Sequence, residues 1–390
     1  MRRYRYLIVG GGMAADAAVR GIRELDRDGP VGLVSAEPHP PYNRPPLSKG
    51  LWKGAPFERV WRRTEELGVE LHLGRTVRHL DLRHKQATDD RGEVYAFDRV
   101  LLATGGTPVR LGADGAVYFR TLDDYQTLRR LADQRERFVV VGGGFIGSEI
   151  AAALAQLGRR VTMLFLEDGV GARLFPAGLA RFLNDYYRER GVEVLPNQAV
   201  ARVEPTGERF EVQTQSGLRF EADGVVAGLG IRPNTELAAS AGLPVEDGIL
   251  VDESLRAGHP DVFAAGDVTR FFNPALGKRI RVEHEDNANT QGQVAGRNLA
   301  GADERYTHLP FFYSDLFDLG YEAVGEVDAR LSVVEDWKEP YREGVVYYLD
   351  QGRVRGVLLW NVWGQVDAAR ELIAEPGPQD PVRLRGRLPR

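Results

Sequence analysis

The chain has 390 residues, 51 basic and 56 acidic side chains, a formal charge of -5 and no cysteine. That length calls for two or three cores, and interspersed charges of near-equal number point to neither nucleic acid nor an anionic membrane as a partner. Without a thiol there is no disulfide, no redox-active cysteine pair, no cysteine nucleophile and no thiolate-held iron–sulfur cluster, so any electrons must travel on bound dinucleotides.

The first apolar run, Tyr6-Leu7-Ile8-Val9, enters Gly10-Gly11-Gly12-Met13-Ala14-Ala15. A strand, a tight turn and a helix start are expected, with Gly10, Gly12 and Ala15 as the three small positions of a dinucleotide fingerprint. The segment is a strand before a glycine turn rather than a signal peptide, and no run is long enough to span a bilayer. A cytoplasmic protein is expected. A second apolar run, Val31 to Val34, leads to Glu37, at the distance of a ribose-binding carboxylate. Pro38 to Lys49 is too rich in proline for a helix or a central strand. It reads as a rigid loop delivering Arg44 and Lys49, with a plain linker as the alternative.

Two short strands are expected between Val69 and Asp81, then a polar hairpin through Asp90. A strand follows that ends in Ala103-Thr104-Gly105-Gly106-Thr107-Pro108, where bare backbone approaches something. The second fingerprint is the sharper one. Val139-Val140-Val141 runs into Gly142-Gly143-Gly144-Phe145-Ile146-Gly147-Ser148-Glu149, and an apolar helical pattern continues to Gly158. The turn needs its first glycine, a pyrophosphate its second, and helix-to-strand packing its third, while the helix start offers unpaired amides to the anion. Val161 to Phe165 and then Glu167 repeat the strand and ribose acid. A helix from 175 to 190, strands near Val192, Val200 and Phe210, and a strand ending at Gly228-Leu229-Gly230 complete this unit.

From Thr235 the chain reads as a return to the first domain. Val262 to Ala265 is a strand ending in Gly266-Asp267, and a helix interrupted by Gly292 and Gly296 is expected from Asn287 to Leu299. A strand-end carboxylate such as Asp267 suits a polyol hydroxyl, with an N-cap or turn role as the alternative. After residue 304, Tyr-, Val- and Trp-rich strands alternate with turns, and Asp350-Gln351-Gly352-Arg353 marks a hairpin. The expected fold class is α/β, with two Rossmann-like dinucleotide-binding domains and a C-terminal α+β domain. Residues 1–108 with 233–303, then 109–232, then 304–390 form these three, with a loose tail after 376.

Gly10 to Ala15, Pro-Tyr-Asn-Arg-Pro-Pro-Leu-Ser-Lys at 41–49, Ala-Thr-Gly-Gly-Thr-Pro at 103–108, Gly-Gly-Gly-Phe-Ile-Gly-Ser-Glu at 142–149, Ala-Ala-Gly-Asp at 264–267 and Tyr-Ser-Asp at 313–315 occur in this order. On these motifs the chain resembles the glutathione-reductase-like FAD-dependent pyridine-nucleotide reductases, of the oxygenase-coupled ferredoxin reductase type. Val282-Glu283-His284 and Gly356 to Val362 look more like the apoptosis-inducing factor branch. The resemblance implies FAD on Gly10 to Ala15, Glu37, Arg44, Lys49, Val77, Arg120, Asp267 and His284, and NAD(H), rather than NADP(H), on Gly143 to Ile146, Glu167, Arg173, Gly230, Glu283 and Glu322. Ala103, Thr104, Gly105, Gly142, Gly147 and Gly266 join the cofactor-binding set. Three positions depart from the family pattern: Ala36 replaces an acid, Glu285 a second histidine and Tyr313 a tryptophan.

The implied reaction is hydride transfer from NADH to the flavin and electron release to an acceptor, such as a small iron–sulfur protein or a quinone. Lys49, Phe145, Glu149, His284 and Tyr313 form the expected catalytic group. Lys49 pairs with Glu149 near the flavin, and Phe145 covers the ring until nicotinamide replaces it. The plainer alternatives are a core aromatic for Phe145, a solvated first-turn acid for Glu149 and a core tyrosine for Tyr313. Two other functions stay open at this point: an NADH-responsive sensor with a stable reduced complex and slow turnover, and a scaffold holding FAD without turnover. No metal is expected, and the protein is expected to act as a monomer or weak homodimer.

Overall fold

The structure is a computed structural model describing residues 1–112 and 114–389. Its chain divides into two compact units. Met1–Arg44, Pro56–Thr107 and Arg232–Pro310 form the first; Pro45–Ala55, Pro108–Ile231 and Phe311–Arg390 form the second. Among the described residues no helix is long and apolar enough to cross a membrane.

In the first unit the strand Arg2–Val9 lies between Val31–Ser35 and Val94–Leu102, parallel to both, with Ile8 opposite Leu33 on one side and Leu101 on the other. Val69–Leu73 extends the sheet one way, and Val262–Ala264 with the antiparallel Arg256–His259 extends it the other. Every residue of Val31–Ser35 is buried, the pattern of a parallel strand covered on both faces. The chain fills one side of Arg2–Val9 before the other, so strand order reverses at its C-terminal end, the topology at which a ligand crevice forms. Gly10 and Ala103 follow directly on the strand ends there, and Gly266 one residue further on. Gly10 N–H reaches the Val34 carbonyl at 2.8 Å, and Ala103 N–H the Val9 carbonyl at 2.8 Å.

The helices Met13–Leu25 and Glu285–Leu299 pack backbone against backbone. A Cβ added at Gly292 would lie 2.4 Å from the Ala14 carbonyl oxygen, and one at Gly296 would lie 2.1 Å from that of Ala18. Glycines that read as interruptions of a helix are therefore its contact surface. Asp16, fully buried on the first helix, accepts from Arg20 Nε at 2.9 Å, Arg62 Nε at 2.6 Å and Thr64 Oγ1 at 2.7 Å. A sheet of very short strands, Val245–Glu246, Gly248–Leu250, Thr269–Asn273 and Lys278–Ile280, also belongs to this unit. No sequence periodicity announces pieces that short.

The second unit repeats the parallel plan, in the order Val192–Leu195, Arg160–Leu164, Arg137–Val141, Gly224–Ala227. Val200–Thr206, Arg209–Thr214 and Arg219–Ala222 form an antiparallel sheet beside it in sequence. The helix Leu122–Gln134, unforeseen, opens with a reciprocal capping box between Thr121 and Asp124 and buries Leu122, Tyr125, Leu128 and Ala132. The C-terminal strands form one antiparallel sheet, ordered Phe311–Leu316, Leu319–Gly325, Arg353–Trp360, Glu343–Asp350, Ser332–Glu339. Gln351 (φ 48°) and Gly352 (φ 76°) both turn left-handed, and Asp350 pairs with Arg353. Two successive positive φ values make the tight hairpin turn that the sequence suggests.

The segment after Pro376 differs from the loose tail that its composition suggests. Leu384 and Leu388 are buried, Gly386 N–H donates to Asp336 at 2.7 Å and Leu388 N–H to the Tyr347 hydroxyl at 3.2 Å. Two leucines and two backbone donors outweigh the prolines and arginines around them.

Candidate functional site

Both fingerprints fold as strand, turn and helix, and their glycines divide by what surrounds them. Gly10 (φ 126°) and Gly142 (φ 115°) hold conformations that side chains avoid, and an added Cβ would lie 2.0 Å from the Ala103 carbonyl oxygen and 2.4 Å from that of Gly228. At the third position a Cβ on Gly147 would fall 1.9 Å from the Gly142 carbonyl oxygen, whereas the methyl of Ala15 is accommodated and fully buried. The middle glycines differ. Gly12 and Gly144 cap the helices Met13–Leu25 and Phe145–Gln156 with extended backbone and no side-chain cap, and a Cβ at either would meet nothing within 4 Å. The protein's own packing does not require glycine there. A pyrophosphate lying on the uncapped helix start does, so both cradles fit a dinucleotide.

Around the first cradle, Glu37 is held from two sides. The Arg44 guanidinium donates to its Oε1, and the Tyr42 hydroxyl donates to Oε2 at 2.5 Å. Burial works against the charge on Arg44, but Tyr42, Glu37 and Asp267 together hold its pKa above the ordinary value. Arg44, Glu37 and Asp267 thus form one electrostatic group. The turn after Val94–Leu102 is clamped by Asn234: Thr104 Oγ1 donates to the Asn234 carbonyl at 2.7 Å, and Asn234 Nδ2 donates to the Thr104 carbonyl at 2.8 Å. Gly105 turns left-handed beside it (φ 62°). Gln291, fully buried, accepts from Gly266 N–H at 2.8 Å and Thr269 Oγ1 at 2.6 Å, and so fixes the turn that carries Asp267. Asp267 lies in that turn and caps no helix. The helix after it starts at Glu285, two residues before the expected point, which puts His284 at its N-cap. Glu283 takes a 2.5 Å bond from Arg281. Val77 is buried on the strand Val77–Asp81.

Glu149 centres the second unit's site. It is 5 % exposed and accepts from Lys49 Nζ at 2.7 Å, Ser48 Oγ at 2.5 Å and Ser314 Oγ at 2.5 Å. The solvated-acid alternative therefore falls, because three donors and burial make this a structural and electrostatic centre. Burial, reinforced by the Glu149 charge, pushes the hydroxyls of Tyr187 and Tyr321 well above the ordinary tyrosine range. Lys49 Nζ stands 5.3 Å from the centroid of the Tyr313 ring. Tyr313 is 37 % exposed, so it is no core residue. Alternation explains the difference: Ser314 faces Glu149, and its neighbour Tyr313 points the other way. Phe145 packs edge-on against Phe312, with centroids 5.1 Å apart.

Across the ladder Tyr313 pairs with Glu322. Burial raises the Glu322 pKa, a Gly364 N–H works against it, and its Oε2 is buried without a hydrogen-bond partner. Glu167 accepts from Arg173 Nε at 2.5 Å. Phe165 is buried, and its ring leaves room only for a glycine at Gly143, where a Cβ would sit 2.9 Å away. Ile146 side-chain atoms crowd Gly228 in the same way. Gly230 turns left-handed, and its carbonyl accepts from Val109 N–H at 2.9 Å. Arg120, implied beside FAD with Glu37 and Arg44, belongs to the second unit, where its N–H bonds Asp124 at 3.0 Å. Glu283, implied beside NADH, belongs to the first.

Sequence reasoning missed Ser48, Ser314, Asn234 and Gln291. For the two serines a signal existed, since each adjoins a residue already singled out. Gln291 lacked one, being a polar residue inside a helical pattern. Among the described residues no group of three or more His, Cys, Asp or Glu side chains is placed to hold a metal.

Residues 4–292 match the family model described as pyridine nucleotide-disulphide oxidoreductase, and residues 295–339 and 334–375 match that of the apoptosis-inducing factor, mitochondrion-associated, C-terminal region. The chain is 33 % identical to the mitochondrial apoptosis-inducing factor 1 of Dictyostelium discoideum, over 96 % of this chain and 79 % of that protein. It is 34 % identical to the ferredoxin–NAD(+) reductase component of the anthranilate 1,2-dioxygenase system of Burkholderia cepacia, over 97 % of this chain and 96 % of that one. Among solved structures, putidaredoxin reductase in its covalent complex with putidaredoxin superposes with a TM-score of 0.91 at 30 % identity, covering 98 % of this chain and 96 % of that one. With two dinucleotide cradles and no cysteine for disulfide chemistry, the chain belongs to the pyridine nucleotide-disulphide oxidoreductase family, as an FAD-dependent member built on the plan of the ferredoxin reductases.

Proposed function

We propose that the protein oxidises NADH and delivers the electrons to a small iron–sulfur protein of the ferredoxin type. The observation that carries this is the pair of open middle glycines, Gly12 and Gly144, one in each unit, each at an uncapped helix start. FAD and NAD(H) are the cofactors of this family; FAD, when bound, would accept hydride from NADH and release its two electrons one at a time together with a proton. FAD is assigned to residues 1–108 with 233–303 and NAD(H) to 109–232, with 304–390 as the third domain.

The chain's own part is binding, orientation and electrostatics. Gly10 to Ala15 receive the FAD pyrophosphate, and Glu37, steadied by Arg44 and Tyr42, accepts from the adenosine ribose. Asp267, held in its turn by Gln291, accepts from the ribityl chain, while Thr104 and Gly105 give backbone access and Val77, Arg120 and His284 complete the contacts. On the nicotinamide side Gly142 to Gly147 receive the second pyrophosphate, and Glu167 and Arg173 the ribose, with Gly230, Glu283 and Glu322 further on. Lys49 keeps its position at the flavin because Glu149 holds it. Phe145 shields the ring before nicotinamide arrives, and Tyr313 lines the way out for electrons. Glu167 favours NADH by repelling a 2'-phosphate.

The likeness to apoptosis-inducing factors supports a second reading, an NADH-responsive sensor with slow turnover. Anaerobic NADH titration followed by a panel of acceptors separates them. Rapid bleaching of the flavin with rapid reoxidation by an iron–sulfur protein supports the reductase. Bleaching with no fast acceptor supports the sensor, and a flavin that NADH does not bleach overturns both.

A further inference from the structure

Behind the Lys49–Glu149 pair, on the side of Ala152 and Ala153, lies a cavity of about 10 Å³. That is about the smallest space able to hold one water, and a water needs two or more polar partners. The walls supply them: Ser48, Glu149, Gln156, Lys53 and Asp315. The cavity is graded in burial. At its inner end is Glu149, 5 % exposed, with Ser48 Oγ 2.5 Å away; at its outer end Lys53 and Asp315 form a loose pair, 3.8 Å apart, with side chains 49 % and 40 % exposed. A polar space with room for about one water thus borders both a buried carboxylate and an exposed ion pair, in a wall otherwise made of Trp52, Phe317 and alanine. Structural packing alone would fill such a space with an apolar side chain, since a void beside a buried charge strengthens nothing.

We infer that this space is the exit passage for the proton that the reaction releases. The inference rests on the proposed function, in which Lys49 borders the reacting ring. Hydride carries one proton and two electrons, so NADH and two one-electron acceptors yield NAD+, two reduced acceptors and one proton. The electrons leave toward the acceptor, but the proton is left where water is excluded. Lys49 Nζ passes a proton to Glu149 Oε1, 2.7 Å away, and is reprotonated from the reacting centre. Glu149 passes the proton to the cavity water, and the water to Asp315 and bulk solvent. Each donor loses one proton and regains one, and no charge accumulates.

The test plugs the passage without replacing Lys49 or Glu149. Ala153→Leu fills the cavity from the helix Phe145–Gln156, and Asp315→Asn removes the outer acceptor without adding volume, so it stands in should the first variant fold poorly. Rapid-mixing experiments read the two half-reactions separately. Flavin reduction by NADH should be unchanged in Ala153→Leu, while reoxidation slows about tenfold or more with a larger solvent deuterium isotope effect. Formate or imidazole in the buffer should restore the rate in Asp315→Asn, as small acids and bases do for a lost proton carrier. A readout without turnover is hydrogen exchange at the Lys49 ammonium, followed by NMR after transfer of the oxidised protein to D2O, which should be slower in Ala153→Leu. Equal reoxidation rates, isotope effects and exchange rates in wild type and both variants would overturn the inference. Failure of the wild type to be reduced by NADH would instead overturn the functional reading beneath it.

Discussion

Glu149 shows how much one side chain fixes. A carboxylate buried at 5 % exposure is tolerable only because Lys49, Ser48 and Ser314 all donate to it. Replacing it by leucine strands the lysine charge, and Glu149→Leu should cost about 3–5 kcal/mol in urea unfolding. Adding Lys49→Met to that variant should recover most of the loss, since the uncompensated charge is then gone; a double variant no more stable than the single one contradicts this. Tyr313 predicts the opposite pattern. At 37 % exposure its truncation to alanine should cost under about 1 kcal/mol, well short of the 3–5 kcal/mol for a core aromatic, while the flavin spectrum and the reoxidation rate change. The sequence made Lys49, Glu149 and Tyr313 visible as members of motifs. It did not reveal that Glu149 is buried, because first-turn acids on helices are ordinarily wet, and only a tertiary partner from another segment reverses that.

At the scale of the element, the two kinds of glycine in the second fingerprint make separable predictions. Gly144→Ala adds a methyl that meets no protein atom, so stability should fall by no more than about 1 kcal/mol, the cost of alanine at an N-cap. The KM for NADH should rise steeply all the same. Gly147→Ala pushes a methyl to 1.9 Å from the Gly142 carbonyl oxygen and should cost at least 1–3 kcal/mol, roughly that of overpacking, before any ligand is added. Melting curves of both apoproteins, set beside NADH titrations, check the contrast. Strands and helices next to these turns were legible because β-branched runs and 3.6-residue spacing are strong local signals. The helix Leu122–Gln134 carried a signal too, in the Thr121–Asp124 box and the apolar face of Leu122, Tyr125 and Leu128. The strands Val245–Glu246, Gly248–Leu250, Thr269–Asn273 and Lys278–Ile280 carried none, since two to five residues cannot establish a period.

At the scale of the whole chain, acid stability should hinge on buried carboxylates in ion networks. Burial works to raise the Asp16 pKa, but Arg20, Arg62 and Thr64 outweigh it and hold it below the ordinary value. The folded state then binds fewer protons than the unfolded one between the two pKa values. The contribution is therefore complete above the unfolded aspartate value and is lost as pH falls through the folded one. Asp16→Asn should lower stability at neutral pH and flatten its dependence on pH below about 4, where an unperturbed aspartate titrates. Chemical denaturation across that range tests it; an unchanged slope contradicts the assignment.

The glycine contact between the helices Met13–Leu25 and Glu285–Leu299 also sets a timetable. The first helix leaves the ribosome early, yet the backbone surface that Ala14 and Ala18 press against lies at Gly292 and Gly296, after the chain has left the first unit at Thr107 and returned at Arg232. At about 5–20 residues per second of synthesis, the small-residue stripe waits on the order of tens of seconds for its partner. The nucleotide-binding part of the second unit is synthesised in that interval. A nascent chain stalled before Glu285 should therefore be cut by protease within the first helix, and one stalled well past Leu299 should resist.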